Sequence, residues 1–101
     1  MAKLLQIDFP FAGPFGAEMA NQLRELAESI ATEPGLLWKL WTENADSKLA
    51  GGIYLFQDAA SAEAYLAKHS ARLAAFGITD IRARIFDLNP ELSRATRGPL
   101  A

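Results

Sequence analysis

Apolar positions along the chain recur with a period of two in some segments and with a helical period in others. The first segment, KLLQIDF (residues 3–9), alternates as a half-buried strand does. The prolines and glycines of PFAGPFG end this strand and set Pro14 in the first turn of a helix. From Phe15 to Thr32 the apolar residues follow helical spacing, which predicts one amphipathic helix of about five turns. The EPG sequence that follows ends it.

The middle of the chain predicts a β-hairpin. Two segments rich in aromatic and aliphatic residues, LLWKLWTE and LAGGIYLF, are joined by the polar, turn-forming NADSK. Trp38 and Trp41 lie an odd number of residues apart, so a strand directs them to opposite faces. A shift of one residue in register would change every cross-strand partner. The predicted cross-strand pairs are Glu43 with Leu49, Trp38 with Tyr54, Leu40 with Gly52, and Trp41 with Gly51.

The last part of the chain predicts a helix, a strand and a short tail. Asp58 is a natural N-cap for a helix from about Ala59 to Phe76, and Gly77 is placed to end it. Strand alternation returns over residues 79–88, and residues 89–101 predict a helical turn followed by a mobile tail. The order β-α-β-β-α-β is the ferredoxin-like α+β arrangement, a four-stranded antiparallel sheet with both helices on one face.

Both hairpin strands are apolar on both faces. The helices cover only one face of the sheet, so the other apolar face would remain uncovered. Strand two has Leu36, Trp38 and Leu40 on one predicted face and Leu37 and Trp41 on the other. A large exposed aromatic patch usually marks an interaction site, so we expect a homodimer packed sheet to sheet. A chain of 101 residues forms one domain by the usual size range, with a modest core of its own.

Composition excludes several classes of function. The net charge is −2 and the basic residues are scattered, which argues against a nucleic-acid partner. The chain contains no cysteine, which removes thiolate chemistry and cysteine-based metal sites. No apolar run is long enough to span a membrane, and the N-terminal residues do not form a signal peptide, so we expect a cytoplasmic protein without a membrane partner.

The candidate chemistry centres on the single histidine. Its spacing from the apolar residues of the second helix directs His69 toward the sheet. There an imidazole could act as a base, orient a substrate or ligate a haem iron, or it could be a core histidine whose nitrogens bond to neighbours. Arg72 lies one helical step away, while Arg82 and Arg84 share a strand face with Phe86. Arginines in such places bind enolates, phenolates or carboxylates, or form rim contacts and ion pairs.

A pocket for an aromatic ligand is the second candidate feature. The adjacent Gly51 and Gly52 would leave room beside the large rings of Trp38, Trp41 and Tyr54. Alternatively, Trp41 simply covers a glycine, as aromatic residues do in sheets. No phosphate-binding loop or dinucleotide motif occurs, so the sequence predicts no nucleotide or flavin.

Several blocks of the sequence together resemble one family. LLQIDFPFAGPFGAEMANQL, EPGLLWKLWTE, AGGIYLF and AYLAKHSARL are similar, in order and spacing, to the YdhR-type monooxygenases, and the likeness runs almost end to end. The resemblance implies a dimeric ferredoxin-like α/β barrel similar to the antibiotic-biosynthesis monooxygenases. It also implies oxidation of an aromatic compound without metal or flavin, with the substrate supplying the electrons.

Three functional hypotheses follow from these observations. The first is a cofactor-independent monooxygenase for an aromatic or quinol-type molecule. The second is a protein that binds an aromatic compound or haem without turnover, and the third is a small dimeric module whose pocket is incidental. No metal or other cofactor is expected in the first. Its site residues would be His69 and Arg72 for catalysis, and Trp38, Trp41 and Tyr54 for substrate binding.

Overall fold

A four-stranded antiparallel sheet is the centre of the structure, a computed structural model that describes residues 1–100. The strands are β1 (Lys3–Pro10), β2 (Leu36–Asn44), β3 (Leu49–Phe56) and β4 (Arg82–Asp87). The helices are α1 (Gly16–Gln22), α2 (Arg24–Ala31), α3 (Ala59–Ala75) and α4 (Pro90–Ala95). The spatial order of the strands is β2-β3-β1-β4. This arrangement confirms the predicted ferredoxin-like α+β fold.

The first helical segment is divided, whereas the sequence predicts one continuous helix. Leu23 separates α1 from α2 with φ −102° and ψ 10°. The Leu23 amide still donates to the Met19 carbonyl, and the Ala27 amide donates to that of Leu23, both at 2.9 Å. The two helices therefore remain in sequence along the sheet. No proline or glycine marks the break, so hydrophobic spacing gives no sign of it.

The predicted α3 is confirmed, including its N-terminal cap. The Asp58 carboxylate accepts a hydrogen bond from the Ser61 amide at 2.8 Å, as N-cap residues do. At the other end Gly77 has φ +83°, a left-handed conformation that favours glycine. This helix presents four buried residues to the sheet: Ala62, Tyr65, His69 and Leu73.

The predicted hairpin register is wrong by one residue. Asn44, not Glu43, pairs with Leu49, and Trp41 pairs with Gly52. The Asn44 side chain accepts a hydrogen bond from the Ser47 amide at 3.0 Å, so Asn44 belongs to the strand and the turn contains only residues 45–48. Because adjacent residues of β3 point to opposite faces, this one-residue shift moves each β2 side chain that it affects to the face opposite to the predicted one.

A β-bulge decides which face each residue of β2 occupies. The pairing with β3 is irregular between Leu36 and Trp38. The sequence predicts that these two residues share a face of the sheet, but the bulge places them on opposite faces. Leu36 packs against the core beneath the helices, whereas Trp38 lies on the opposite face of the sheet. Beyond the bulge the alternation is regular. Trp41 therefore lies on the helix side, and the prediction that the two tryptophans occupy opposite faces is confirmed.

The two faces of the sheet are covered differently. The core lies between the helices and the sheet, where Leu5, Ile7 and Tyr54 are almost fully buried. On the opposite face, Leu40 and Phe86 remain 58% and 42% exposed. The C-terminal segment reaches this face, because the Trp38 indole nitrogen donates to the Pro99 carbonyl at 3.1 Å. The tail predicted to be mobile is thus in contact with the sheet.

Candidate functional site

A cavity of about 420 Å³ lies between the helices and the sheet. Its walls are largely aromatic and aliphatic, as is typical of small-molecule sites, and a few polar groups reach it. None of the described residues that line it is an aspartate or a glutamate. Lys39, Trp41, Tyr54 and His69 are among the residues that line it, and the apolar wall includes Phe9, Phe11, Leu26, Leu73 and Phe76.

His69 is hydrogen-bonded to an arginine of the same helix, Arg72. The side chain is only 3% exposed, and its Nδ1 lies 2.9 Å from Nη2 and 3.3 Å from Nε of Arg72. A guanidinium group can only donate hydrogen bonds, so Nδ1 must be the acceptor. In the neutral imidazole the proton is therefore on Nε2. Within residues 1–100 that nitrogen has no protein partner, and His69 presents a hydrogen-bond donor to a ligand.

Burial and neighbouring charge keep this imidazole neutral. Desolvation first, and then the positive charges of Lys39 and Arg72, lower the pKa of His69 to about 4. A group with this pKa is a weak proton acceptor near neutral pH. The geometry and the electrostatics therefore both favour His69 as a donor that orients a ligand.

Two tyrosines lie beside the histidine, and one of them, Tyr54, lines the cavity. Tyr65 stacks on the His69 ring with centroids 5.0 Å apart, and its hydroxyl donates to that of Tyr54 at 3.2 Å. Burial raises the pKa of Tyr65 to about 12 and raises that of Tyr54 further. Both hydroxyls thus remain protonated at neutral pH.

Lys39 is the site residue that the sequence analysis missed. It pairs with Tyr54 across the hairpin, and its Nζ lies 3.3 Å from the Trp41 ring centroid and 4.6 Å from that of Tyr54. Burial, followed by the charge of Arg72, lowers the pKa of Lys39 to about 7. The available signal was a single lysine within the apolar run LLWKLW, in a strand that is apolar on both faces.

Gly51 and Gly52 each lack space for a side chain, for different reasons. A Cβ at Gly52 would lie 2.7 Å from Cε of Lys39, so the space above this glycine is filled by the lysine stem. The predicted gap is therefore not open to a ligand at that position. At Gly51 a Cβ would overlap the Ile7 carbonyl oxygen, because β1 passes too close.

The five predicted site residues do not all meet. Trp41, Tyr54 and His69 line the cavity, and Arg72 stands behind His69. Trp38 lies on the opposite face, because the bulge at Leu37 places it there. The predicted association of Trp38 with the other four is therefore not found in the chain.

A second, more open groove of about 500 Å³ adjoins the cavity. Its wall consists mainly of α1 and α2, with Glu43 at one end accepting a hydrogen bond from the Gly16 amide at 2.9 Å. Trp41, which is 39% exposed, lines both this groove and the cavity, as do Met19 and Leu23.

Residues 1–100 lack two further classes of feature. No helix in this range combines the length and apolar character needed to cross a bilayer. The same residues contain no group of three or more His, Cys, Asp or Glu side chains placed to hold a metal ion.

Comparison with known proteins gives one family and one fold. A family model described as "Putative mono-oxygenase ydhR" matches residues 4–99. Among solved structures, the chain is similar to a putative antibiotic biosynthesis monooxygenase from Deinococcus radiodurans, with a TM-score of 0.57 and 16% identity. That match covers 88% of this chain and 93% of the other, and at this identity it supports the fold alone. No curated protein matches the sequence.

Proposed function

Because the chain belongs to the ydhR family of mono-oxygenases, we propose that it oxidises an aromatic or quinol-type small molecule with O₂ and without a cofactor. The choice of substrate class rests on one observation. The cavity between the helices and the sheet has aromatic walls, and the polar groups of Lys39, Tyr54 and His69 meet along one side of it. A planar ring fits the walls, and a ring hydroxyl can meet the polar side.

The substrate supplies every electron in such a reaction. For 1-naphthol the overall change is naphthol plus O₂ giving 1,4-naphthoquinone plus water. One oxygen atom forms the new carbonyl, the other leaves as water, and four electrons pass from the substrate to O₂. The chain's own residues bind the ring, orient its oxygen and keep bulk water from the reacting carbon.

Each candidate residue has a role that its position supports. Trp41 and Tyr54 are proposed to hold the ring, and the Nε2 proton of His69 to donate to the substrate oxygen. Arg72, which does not line the cavity, is proposed to fix the His69 tautomer and to contribute positive charge near the developing anion. Arg72 is thus a positioning residue.

Oxygen uptake by metal-free protein tests the proposal. With 1-naphthol and related hydroquinones, we expect uptake above the uncatalysed rate, and a loss of about tenfold or more in His69→Ala, since one lost donor to a charged oxygen costs at least that much. His69→Gln, which retains an amide donor, should keep more activity than His69→Ala. Ser70→Ala, the adjacent position on α3, is the control. Equal uptake by wild type and His69→Ala would remove His69 from the mechanism.

Binding without turnover is the second candidate, favoured by the state of His69. Both nitrogens of its ring are committed, Nδ1 to Arg72 and Nε2 to a proton, so the imidazole offers a donor and no free lone pair. This fits recognition of an aromatic hydroxyl better than ligation of a haem iron. Calorimetric binding of 1-naphthol with no oxygen uptake would support this candidate over the oxygenase.

We also propose that the protein is a homodimer joined through the open face of the sheet. Exposed Leu40 and Phe86 on that face are supporting observations, since apolar patches of this kind usually meet a partner. Leu40→Glu should shift the sedimentation coefficient from that of a dimer to that of a monomer, because two carboxylates would be buried together. Ala67→Glu, on the exposed side of α3, should leave the dimer intact. A monomeric wild-type protein would contradict the proposal.

A further inference from the structure

Lys39 is a basic cavity residue that takes no step in the reaction proposed above. Its Nζ lies between the rings of Trp41 and Tyr54 and at the wall of the cavity. Within residues 1–100 this nitrogen forms no hydrogen bond and no ion pair, whereas Lys3 and Lys68 each pair with a carboxylate. The side chain is half-buried, and a lysine amine that leaves bulk water without an acidic partner is unusual, because such charges are normally paired.

The groups that face Lys39 make its charged form costly. From α3, Arg72 and His69 face it, and from β3 the hydroxyl-bearing ring of Tyr54 does so. The cavity residues contributed by α1, α2 and the residue between them, namely Met19, Gln22, Leu23 and Leu26, bring no charge. Arg72 is therefore the charged group that faces the amine, and the described part of the cavity contains no carboxylate to balance it. Burial and Arg72 together lower the pKa of Lys39 to about 7.

We propose that Lys39 accepts the proton of an aromatic hydroxyl bound in the cavity, and that the resulting ammonium group holds the aryl oxide. In this step the substrate O–H bond breaks, an N–H bond forms on Nζ, and the electron pair remains on the oxygen. No oxidant or reductant is required. The inference rests on the proposed function, because it identifies the proton acceptor and narrows the ligand to phenols, naphthols and hydroquinones.

The other titratable groups of the cavity do not fit this role. His69 has its acceptor nitrogen engaged by Arg72, and both tyrosine hydroxyls stay protonated because burial raises their pKa. A neutral amine has one free lone pair and can take a proton directly. Once charged, it lies over the Trp41 ring at a distance where cation–π attraction stabilises it.

Ligand selection follows from the acidity of the bound hydroxyl. A phenolic hydroxyl ionises at about pH 10 and the pKa of Lys39 is about 7, so proton transfer requires that the Lys39 ammonium and the Nε2 proton of His69 stabilise the aryl oxide. An aliphatic alcohol is far too weak an acid. The aryl oxide would then have the Lys39 ammonium on one side and the Nε2 proton of His69 on another.

The absorption spectrum of bound 1-naphthol tests the assignment, because naphtholate and naphthol absorb at different wavelengths. At pH 8, wild-type protein should give the naphtholate band with no net proton release, measured by calorimetry in two buffers of different ionisation enthalpy. In Lys39→Arg the charge remains but no proton can be accepted, so any naphtholate must release an equal number of protons to the buffer. Lys39→Met should lose the band. Lys3→Met, at a surface ion pair, is the matched control.

The outcomes separate this inference from the proposed function. A naphtholate band that survives in Lys39→Met, or one proton released per naphtholate in wild type, would overturn the role of Lys39. Oxygen uptake retained in Lys39→Met would do the same while leaving the oxygenase standing. Ionised naphthol bound through Lys39 without oxygen uptake would keep the inference and reject the oxygenase. Absence of naphthol binding would contradict both.

Discussion

Lys39→Met is expected to raise the free energy of unfolding at pH 7 by about 2 to 4 kcal/mol. The pKa of Lys39 falls from 10.5 to about 7 in the folded protein, mainly through burial. Each pKa unit corresponds to about 1.4 kcal/mol, and partial exposure of the side chain reduces the sum. The wild-type protein therefore carries a penalty for the lysine that a methionine of similar length does not.

The difference in free energy of unfolding between wild type and Lys39→Met should depend on pH, because the pKa of Lys39 is lower in the folded state. Below pH 7 the lysine is protonated in both the folded and the unfolded state, and the full penalty is present. Between pH 7 and 10.5 the unfolded state binds the extra proton, so wild-type stability rises with pH relative to the variant. The advantage of Lys39→Met should thus shrink by roughly 2 kcal/mol between pH 7 and pH 9.

Urea unfolding at pH 6, 7, 8 and 9 measures both effects. Wild type and variant share every other titrating group, so the difference between them reports Lys39 together with its effect on His69. Lys3→Met, which removes a lysine from an exposed ion pair, should change the free energy of unfolding by less than about 1 kcal/mol. A constant difference between wild type and Lys39→Met over this range would show that the lysine is charged throughout.

Gly51→Ala is expected to prevent folding or to lower the free energy of unfolding by more than about 3 kcal/mol, because overlap with backbone cannot be relieved by a rotamer change. A Cβ at this position would overlap the Ile7 carbonyl oxygen and lie 2.8 Å from the Asp8 Cα. Both atoms belong to β1, which is hydrogen-bonded on both of its sides. The strand cannot move away without loss of the sheet.

Gly52→Ala is the matched control, one residue further along the same strand. Its new Cβ would meet Cε of Lys39 at 2.7 Å and Cε1 of Tyr54 at 3.1 Å. The end of a lysine side chain can shift, so we expect a loss of only about 1 kcal/mol in urea unfolding, together with weaker naphthol ionisation. Equal stability of the two variants would show that β1 and β3 are not as closely spaced as described.

Hydrophobic periodicity was enough to predict the layers of this fold. The alternation of β1, the helical spacing of α3 and the Asp58 cap all appear in the structure where the sequence places them. The odd separation of Trp38 and Trp41 also fixed their opposite faces, because side chains alternate along any regular strand. Position relative to the sheet followed for His69 in the same way.

The features that the sequence did not reveal depend on details smaller than one period. The bulge at Leu37 and the four-residue turn after Asn44 each move the pairing by one residue, and neither changes the pattern of apolar positions. Lys39 was missed for a related reason. A lysine in a strand ordinarily faces solvent, and only the tertiary position of Tyr54, Trp41 and the glycine beneath the stem makes this one a site residue.

The placement of the two tryptophans has a spectroscopic consequence. Trp41 borders the cavity and lies against a titrating amine, whereas Trp38 bonds to the C-terminal segment on the other face. The intrinsic fluorescence of the protein is therefore the sum of two signals with separate origins. In Trp38→Phe the remaining Trp41 would report ligand entry into the cavity without an added label. In Trp41→Phe the remaining Trp38 would report events at the open face of the sheet.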